Sequence, residues 1–459
     1  MKTTSGLLIA VLLLHAAHGS AADSSWQAGV ARATITPEGP YWMGGYASRR
    51  RPSEGTLLDL NAKALTVQDP LGSRFVFVTL DLLAITPRLA NTVSDACRKR
   101  FGLPRARLLL NCSHTHTGPE IRLYREQVHN IPGPMAAKMH RYVDRLAATI
   151  IQIVGQSIAK LQPARLTISQ SRADFAINRR NNREADVPRL RKAGALIGPV
   201  DHDVPVLQVT DPQSRVIAIL FGYACHNTTL SIFQTSGDYA GFAQQRLEQL
   251  NPGAQAMFVM GAAGDQNPSP RRTIPLARQH GRTLADAVQA ALKGRQRLVS
   301  GRLRADLSQA HLEFQPHADR ATLTQQTQDK NQYKRWKANY LLGELNAGRQ
   351  VPRNYELPVQ AVALGREMLL VAIGGETVVD YARRFKTEHA VDNGPLLWVA
   401  GYSNDVFGYL PSQRVLREGG YEGGNHMVYT KFPGPFTDTV ETRVFEAVDR
   451  VLKNVKSTP

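Results

Sequence analysis

Leu108-Leu-Leu-Asn-Cys-Ser-His114-Thr-His116-Thr-Gly-Pro119 opens on an apolar run of β character and closes on two histidines and a Gly-Pro turn. Spaced i and i+2, the histidines face one side of an extended chain, where their ring nitrogens can converge on one metal ion or substrate. The turn then leads the chain away and leaves the pair at a strand exit, where α/β proteins gather their ligand sites. Alone, the pair reads equally well as two ordinary, partly buried histidines.

Two further strand exits follow the same plan. Val216-Ile-Ala-Ile-Leu220 runs into Phe221-Gly-Tyr-Ala-Cys-His226, and Val371-Ala-Ile-Gly-Gly-Glu376 ends in an acid that opens a helix predicted over Glu376–Lys386. An acid at a helix start also has a plain reading, as a partner of the helix dipole. The two glycines ahead of it permit a close backbone approach, which favours a site. Two histidines and a glutamate from separate strand exits form the usual ligand set of catalytic zinc, with one position open to water.

Around these exits the chain alternates buried-strand runs (75–80, 204–209, 257–260, 357–364) with helical patterns at 87–101, 135–159, 239–250, 274–292 and 437–452. That alternation predicts an α/β fold of mixed sheets layered with helices, the site lying at strand carboxyl ends. Residues 318–348 are polar and helix-favouring and predict a helical insertion, a lid or an interaction arm. No repeat, low-complexity tract or linker divides the chain, so one domain is expected over 24–459.

Residues 1–22 read as a secretory signal peptide: Lys2, an apolar core at Leu7–Leu14, and the small-residue stretch Gly19-Ser-Ala-Ala22. Export to a periplasm or the medium is therefore expected. The composition, 42% hydrophobic and 20% charged, excludes disorder, and no later run reaches the length of a membrane span. Lys and Arg number 56 against 38 Asp and Glu; removing Lys2 with the leader leaves 55 − 38 = +17. Such a charge predicts attraction to anionic membranes or acidic polymers. The basic runs Arg49–Arg51, Arg98–Arg100, Arg179–Arg183 and Arg271–Arg272 lack interleaved aromatics, so no specific nucleic-acid site is expected. Three cysteines, Cys97, Cys112 and Cys225, exclude a disulfide scaffold and leave a Cys112–Cys225 bridge open.

These residues resemble the neutral (non-lysosomal) ceramidases, zinc amidases acting on N-acylsphingosine. The resemblance runs in order through Gly29–Thr36, Met43-Gly-Gly-Tyr46, Val76–Asp81, His114-Thr-His116-Thr-Gly-Pro, Ile177-Asn-Arg179, His226, Gly264-Asp265, Glu376, Tyr409 and Tyr421-Glu-Gly-Gly424. It implies one Zn²⁺ per chain held by His114, His226, Glu376 and Tyr409. His116 and Arg179 would face substrate as catalytic residues, and Asp265 and Asp81 would support the site. Three departures stand out. Gly261 occupies the place assigned to a family serine, Asn227-Thr-Thr replaces Pro-Thr-Ser, and no C-terminal immunoglobulin-like domain is expected.

The implied function is an exported zinc amidohydrolase cleaving an N-acyl amide, with ceramide the first substrate and a place in sphingolipid metabolism. An N-deacylase of N-acylated sugars or other N-acyl compounds, and a non-catalytic binding protein on the same scaffold, are the alternatives.

Overall fold

The computed structural model describes residues 26–456; the signal-peptide reading of 1–22 lies outside them. The strand Arg74–Leu80 shows how the layers arise. Its Val76, Val78 and Leu80 face helices, while Phe75 and Phe77 point to the opposite side, the period of two that a strand imposes on side chains. Both faces are apolar because both are covered.

The first sheet runs in the order Gln255–Met260, Val216–Tyr223, Asp203–Thr210, Gln162–Arg172, Trp26–Thr34, Asn61–Gln68, Arg74–Leu80 and Leu108–Cys112, with Arg297–Leu298 added beside Gln162–Arg172. The second comprises Leu303–Glu313, Asn354–Leu364, Met368–Ile373 and Leu396–Ala400. The two pack face to face through Phe75, Phe77, Leu220 and Met257 on one side and Val362, Leu370 and Trp398 on the other. Helices Pro87–Phe101, Gly133–Ala159, Asp238–Leu250 and Ile274–Lys293 cover the first sheet. Val379–His389 and Val440–Lys456 cover the second. The result is a four-layer α/β sandwich, the expected mixed sheets layered with helices.

Within these two sheets pairing is parallel at three places: Arg74–Leu80 with Leu108–Cys112, Val216–Tyr223 with Gln255–Met260, and Met368–Ile373 with Leu396–Ala400. The first sheet also curls until its two edges meet. Asn111 Oδ1 accepts from Met260 N (2.8 Å), and its Nδ2 donates to Gly401 O (2.8 Å) and Ser403 Oγ (3.1 Å). One buried amide thus joins both edges of one sheet to the last strand of the other.

Local signals explain the boundaries. Pro87–Phe101 begins behind Thr86, whose Oγ1 accepts from Leu89 N, and ends at Gly102 in the left-handed region (φ 63), as the Pro-in, Gly-out asymmetry requires. One boundary differs from expectation. Glu376 does not open a helix; it sits in a two-residue strand paired with Tyr409, and the helix starts at Val379. The two glycines before it lie against the neighbouring chain: a Cβ on Gly375 would lie 2.9 Å from Phe407 and one on Gly374 3.1 Å from Asp405 O. They admit the 405–410 segment.

The 318–348 insertion forms helices Arg320–Gln326 and Gln332–Asn346 with a small core of Leu323, Ala338, Leu341 and Val351. It docks through Tyr333 Oη on Ala47 O (2.6 Å), Lys337 Nζ on Met427 O (2.9 Å) and Trp336 stacked with Tyr124 and Tyr340. Cys97, Cys112 and Cys225 are all buried and free, so Cys112 and Cys225 do not pair. Among the described residues no helix is long and apolar enough to cross a membrane.

Candidate metal centre

His114, His116 and His226 come together, as the strand-exit argument expects, but the first two do so by another route. The Leu108–Cys112 strand has ended before them, and His114 adopts a left-handed backbone (φ 56). Convergence therefore comes from a turn at His114 and not from the pleat of an extended chain. His114 Nε2 lies 3.1 Å from both His226 Nε2 and His116 Nε2. Glu376 Oε2 lies 3.2 Å from His114 Nε2 and 3.5 Å from His226 Nε2.

Carbonyl groups behind the rings set the tautomers. His114 Nδ1 lies 2.5 Å from Leu83 O and His226 Nδ1 3.0 Å from Ala263 O. Each Nδ1 then carries the proton and each Nε2 presents a lone pair to the centre. Burial, with Arg179 and the other two histidines, pushes His226 well below its ordinary pKa, so it stays neutral. Glu376 Oε2 receives no hydrogen bond.

Two lone pairs and a bare carboxylate oxygen therefore face one point with no proton between them, which is costly when buried. A cation removes that cost. Ligands about 2.0–2.1 Å from a tetrahedral zinc lie roughly 3.3–3.4 Å from one another, and the observed 3.1, 3.2 and 3.5 Å bracket this spacing. The three histidines could hold a metal ion, and the donor set fits zinc.

Tyr409 Oη lies 3.5 Å from His226 Nε2 and completes the cluster. Arg179 reaches it from behind. Its Nη2 donates to Tyr409 Oη (2.9 Å) and Gly264 O (2.8 Å), Nη1 to Asn267 Oδ1 (3.2 Å), and Nε to Glu422 Oε1 (2.8 Å). With its donors so engaged, Arg179 works through Tyr409. His116 differs from the other two histidines. Its buried Nδ1 has no partner, so no carbonyl fixes its tautomer and Nε2 is free to carry the proton. Burial, then His114, hold its pKa well below 6.5.

Three site residues took no role from the sequence, although Glu422 lies within the Tyr421-Glu-Gly-Gly424 stretch. Tyr402 Oη lies 3.2 Å from His226 Nδ1; it exits the Leu396–Ala400 strand as His226 exits its own, so the same rule could have found it. His426 accepts from Tyr409 N through Nε2 (3.1 Å) and contacts Tyr421 O through Nδ1 (3.1 Å). Glu422 takes Arg179 and Arg180 together. No spacing rule points to the last two. Of the supporting residues, Asp265 accepts from Val379 N (2.8 Å) and Asn178 Nδ2 (3.1 Å), and its carbonyl accepts from Arg179 N. Asp81 binds Asn61 N and Gln244 and does not touch the cluster. Gly261 abuts Ala224, whose Cβ would lie 2.9 Å from one on Gly261, so no side chain fits there. A Cβ on Gly264 would come within 2.5 Å of Glu376 O, and that contact sets the depth of the glutamate.

Asp405 supports the loop beneath Glu376, its carbonyl accepting from Gly375 N (2.7 Å). Burial raises its carboxyl to about 7 against the hydrogen bond from Tyr355. The folded protein thus holds this proton more tightly than the unfolded chain. The stability it gives is complete below about pH 4 and lost as pH rises through 7. At about 1.4 kcal/mol per unit, the loss is on the order of 4 kcal/mol. Asp405→Asn, which copies the protonated form, should raise the melting temperature at pH 8, with the gain shrinking towards pH 5. An equal gain at both pH values would refute the assignment.

The cluster opens into a cleft of about 630 Å³ lined by Gly45, Tyr46, Glu120, Arg122, Arg125 and His129 on one side and Tyr409, Tyr421, His426 and Tyr429 on the other. The Gln332–Asn346 helix adjoins its rim through the contacts at Ala47 and Met427.

Residues 26–300 match a sequence model of the neutral/alkaline non-lysosomal ceramidase family, N-terminal part. That stretch contains His114, His116, Arg179 and His226, but not Glu376 or Tyr409. The chain is 24% identical over 277 residues to neutral ceramidase 1 of Arabidopsis thaliana, covering 59% of this chain and 35% of that protein. It is 27% identical over 267 residues to neutral ceramidase B of Dictyostelium discoideum, covering 55% and 37%. The matches thus span about a third of the length of these relatives. The fold is similar to a crystal structure of neutral ceramidase from Pseudomonas aeruginosa, with a TM-score of 0.72, 18% identity, 95% of this chain and 75% of that one.

Proposed function

The chain belongs to the neutral/alkaline, non-lysosomal ceramidase family, and on that premise we propose that it is a zinc-dependent amidohydrolase cleaving an N-acyl amide. Ceramide, the substrate in its relatives' name, is the first to test. The observation that carries the reading is the unpartnered Glu376 Oε2 facing two histidine lone pairs at 3.2 and 3.5 Å.

His114, His226, Glu376 and Tyr409 would hold the ion. Bound there, zinc supplies Lewis acidity towards a carbonyl and a nucleophile from water near neutral pH. His116, neutral and held with Nε2 3.1 Å from His114 Nε2, would turn its Nε2 proton to the carbonyl oxygen and then carry it to the departing amine. Arg179 is a positioning residue that fixes the Tyr409 hydroxyl against His226. The insertion helices shield the cleft from water on one side. The catalytic domain spans 24–459 in this reading, and export rests on the leader-like residues 1–22. The excess of basic residues favours docking on anionic membranes.

Elemental analysis and turnover of short- and long-chain fluorogenic ceramides test the proposal on the full chain. About one zinc per chain with amide hydrolysis, both lost in His114→Ala, is the expected result. No metal, or metal with no amide turnover, would overturn it.

A further inference from the structure

Arg125 lines the same cleft as the histidine cluster and makes no ion pair among the described residues. It is 8% exposed, yet its buried Nε has no hydrogen-bond partner, and its guanidinium pairs with no carboxylate among the described residues. The aromatic rings of Tyr124 (5.5 Å) and Tyr429 (5.7 Å) flank it without neutralising it.

The acid within its electrostatic reach, Glu120, is already taken bidentately by Arg122 through Nε (2.8 Å) and Nη2 (2.7 Å). His129 is kept neutral, pushed down to about 4 by burial and then by Arg125 itself. Its Nδ1 is also buried without a partner. Tyr421 and Tyr429 are raised by burial and stay protonated. A largely buried guanidinium without an ion-pair partner is unfavourable, and a cleft that opens to solvent can receive the missing anion from a ligand. The fork of an arginine matches a carboxylate or phosphate in two hydrogen bonds.

We propose that Arg125 binds a compact anionic group on the substrate, so that this chain prefers N-acyl compounds bearing a carboxylate or phosphate over neutral ceramide. N-acyl amino acids are the leading class. The inference rests on the amidohydrolase reading only for the bond cleaved. Water adds across the amide C–N bond, its oxygen going to the acyl carbon and a proton to the amine, releasing a fatty acid and an amino acid.

The experiment compares the zinc-loaded full chain with Arg125→Gln and Arg125→Lys. Three substrates of matched chain serve: N-dodecanoylglycine, N-dodecanoylphosphoethanolamine and the neutral N-dodecanoylethanolamine. The wild type should show a kcat/KM at least tenfold higher on an anionic substrate, and whichever anion leads identifies the group. In Arg125→Gln the anionic-to-neutral ratio should fall by roughly 10- to 100-fold, mainly through KM, with Arg125→Lys between. A wild-type ratio near one, or a ratio unchanged by both variants, would overturn the proposal. Binding of the non-cleavable N-dodecylsulfonylglycine separates the two readings. Arg125-dependent binding without turnover of any amide sinks the hydrolase and keeps the anion site, whereas turnover blind to charge does the reverse. If Arg125→Gln fails to fold, Arg125→Lys and the loss of anion preference at high salt decide.

Discussion

Replacing Glu376 by glutamine should strip the metal from the protein without weakening the metal-free fold. In the metal-free wild type, Glu376 Oε2 sits 3.2 Å from His114 Nε2 with no proton to share. A glutamine amide at the same place has N–H groups to donate, and the neighbouring lone pair can accept one. The metal-free variant should therefore melt at or above the metal-free wild type. With zinc present the order should invert. A ligand held at a thousand times its dissociation constant stabilises by about 4 kcal/mol, and only the wild type should gain that. Amide hydrolysis should drop on the order of 10³-fold or more, since the nucleophile depends on the ion. Elemental analysis and paired melting curves with and without zinc check this. A variant that keeps its zinc would remove Glu376 from the ligand set. A metal-free variant that melts well below the metal-free wild type would mean that the carboxylate serves the fold.

The strand-exit rule made His114, His226 and Glu376 legible because each follows an apolar run that has to end where both sheets end. Tyr402 obeys the same rule at the end of Leu396–Ala400 and was within its reach. The route by which His114 and His116 converge was not legible. A left-handed histidine is an uncommon choice, and nothing in Ser-His-Thr-His announces it. The duty of Arg179 was hidden for a different reason. Its partners come from residues 264, 267, 409 and 422, so its role is a property of the packing between distant segments. Arg125 is the converse case. It reads as one more surface arginine in a basic chain, and only the capture of Glu120 by Arg122 leaves it alone in the cleft.

Asn111→Leu carries the largest expected loss of stability, because a single amide holds three strand ends. Leucine has the same branched heavy-atom skeleton, so the change removes the hydrogen bonds without opening a cavity, and its bulkier methyl groups add some overpacking. It leaves Met260 N without the acceptor 2.8 Å away, while Gly401 O loses the donor 2.8 Å away but keeps the Ser403 hydroxyl (2.9 Å). An orphaned buried group costs about 1–3 kcal/mol, and with the loss of the two donated bonds a total of roughly 2–4 kcal/mol is expected. Melting curves and denaturant titrations should show it. The loss should also reach the metal. Asn111 lies three residues before His114, and its partner Gly401 immediately precedes Tyr402, which contacts His226. Releasing the edges loosens two histidines at once, and zinc affinity should fall by roughly 10- to 100-fold, the range typical of groups that support ligands. Asn111→Asp separates the two effects. It keeps the acceptor for Met260 N but loses the donors to Gly401 O and Ser403 Oγ, and it buries a carboxylate. If the closed sheet edges govern the site, both variants should lose stability and zinc affinity together. Full zinc affinity in a strongly destabilised Asn111→Leu would show that the centre is held by its own loops and not by the junction of the sheets.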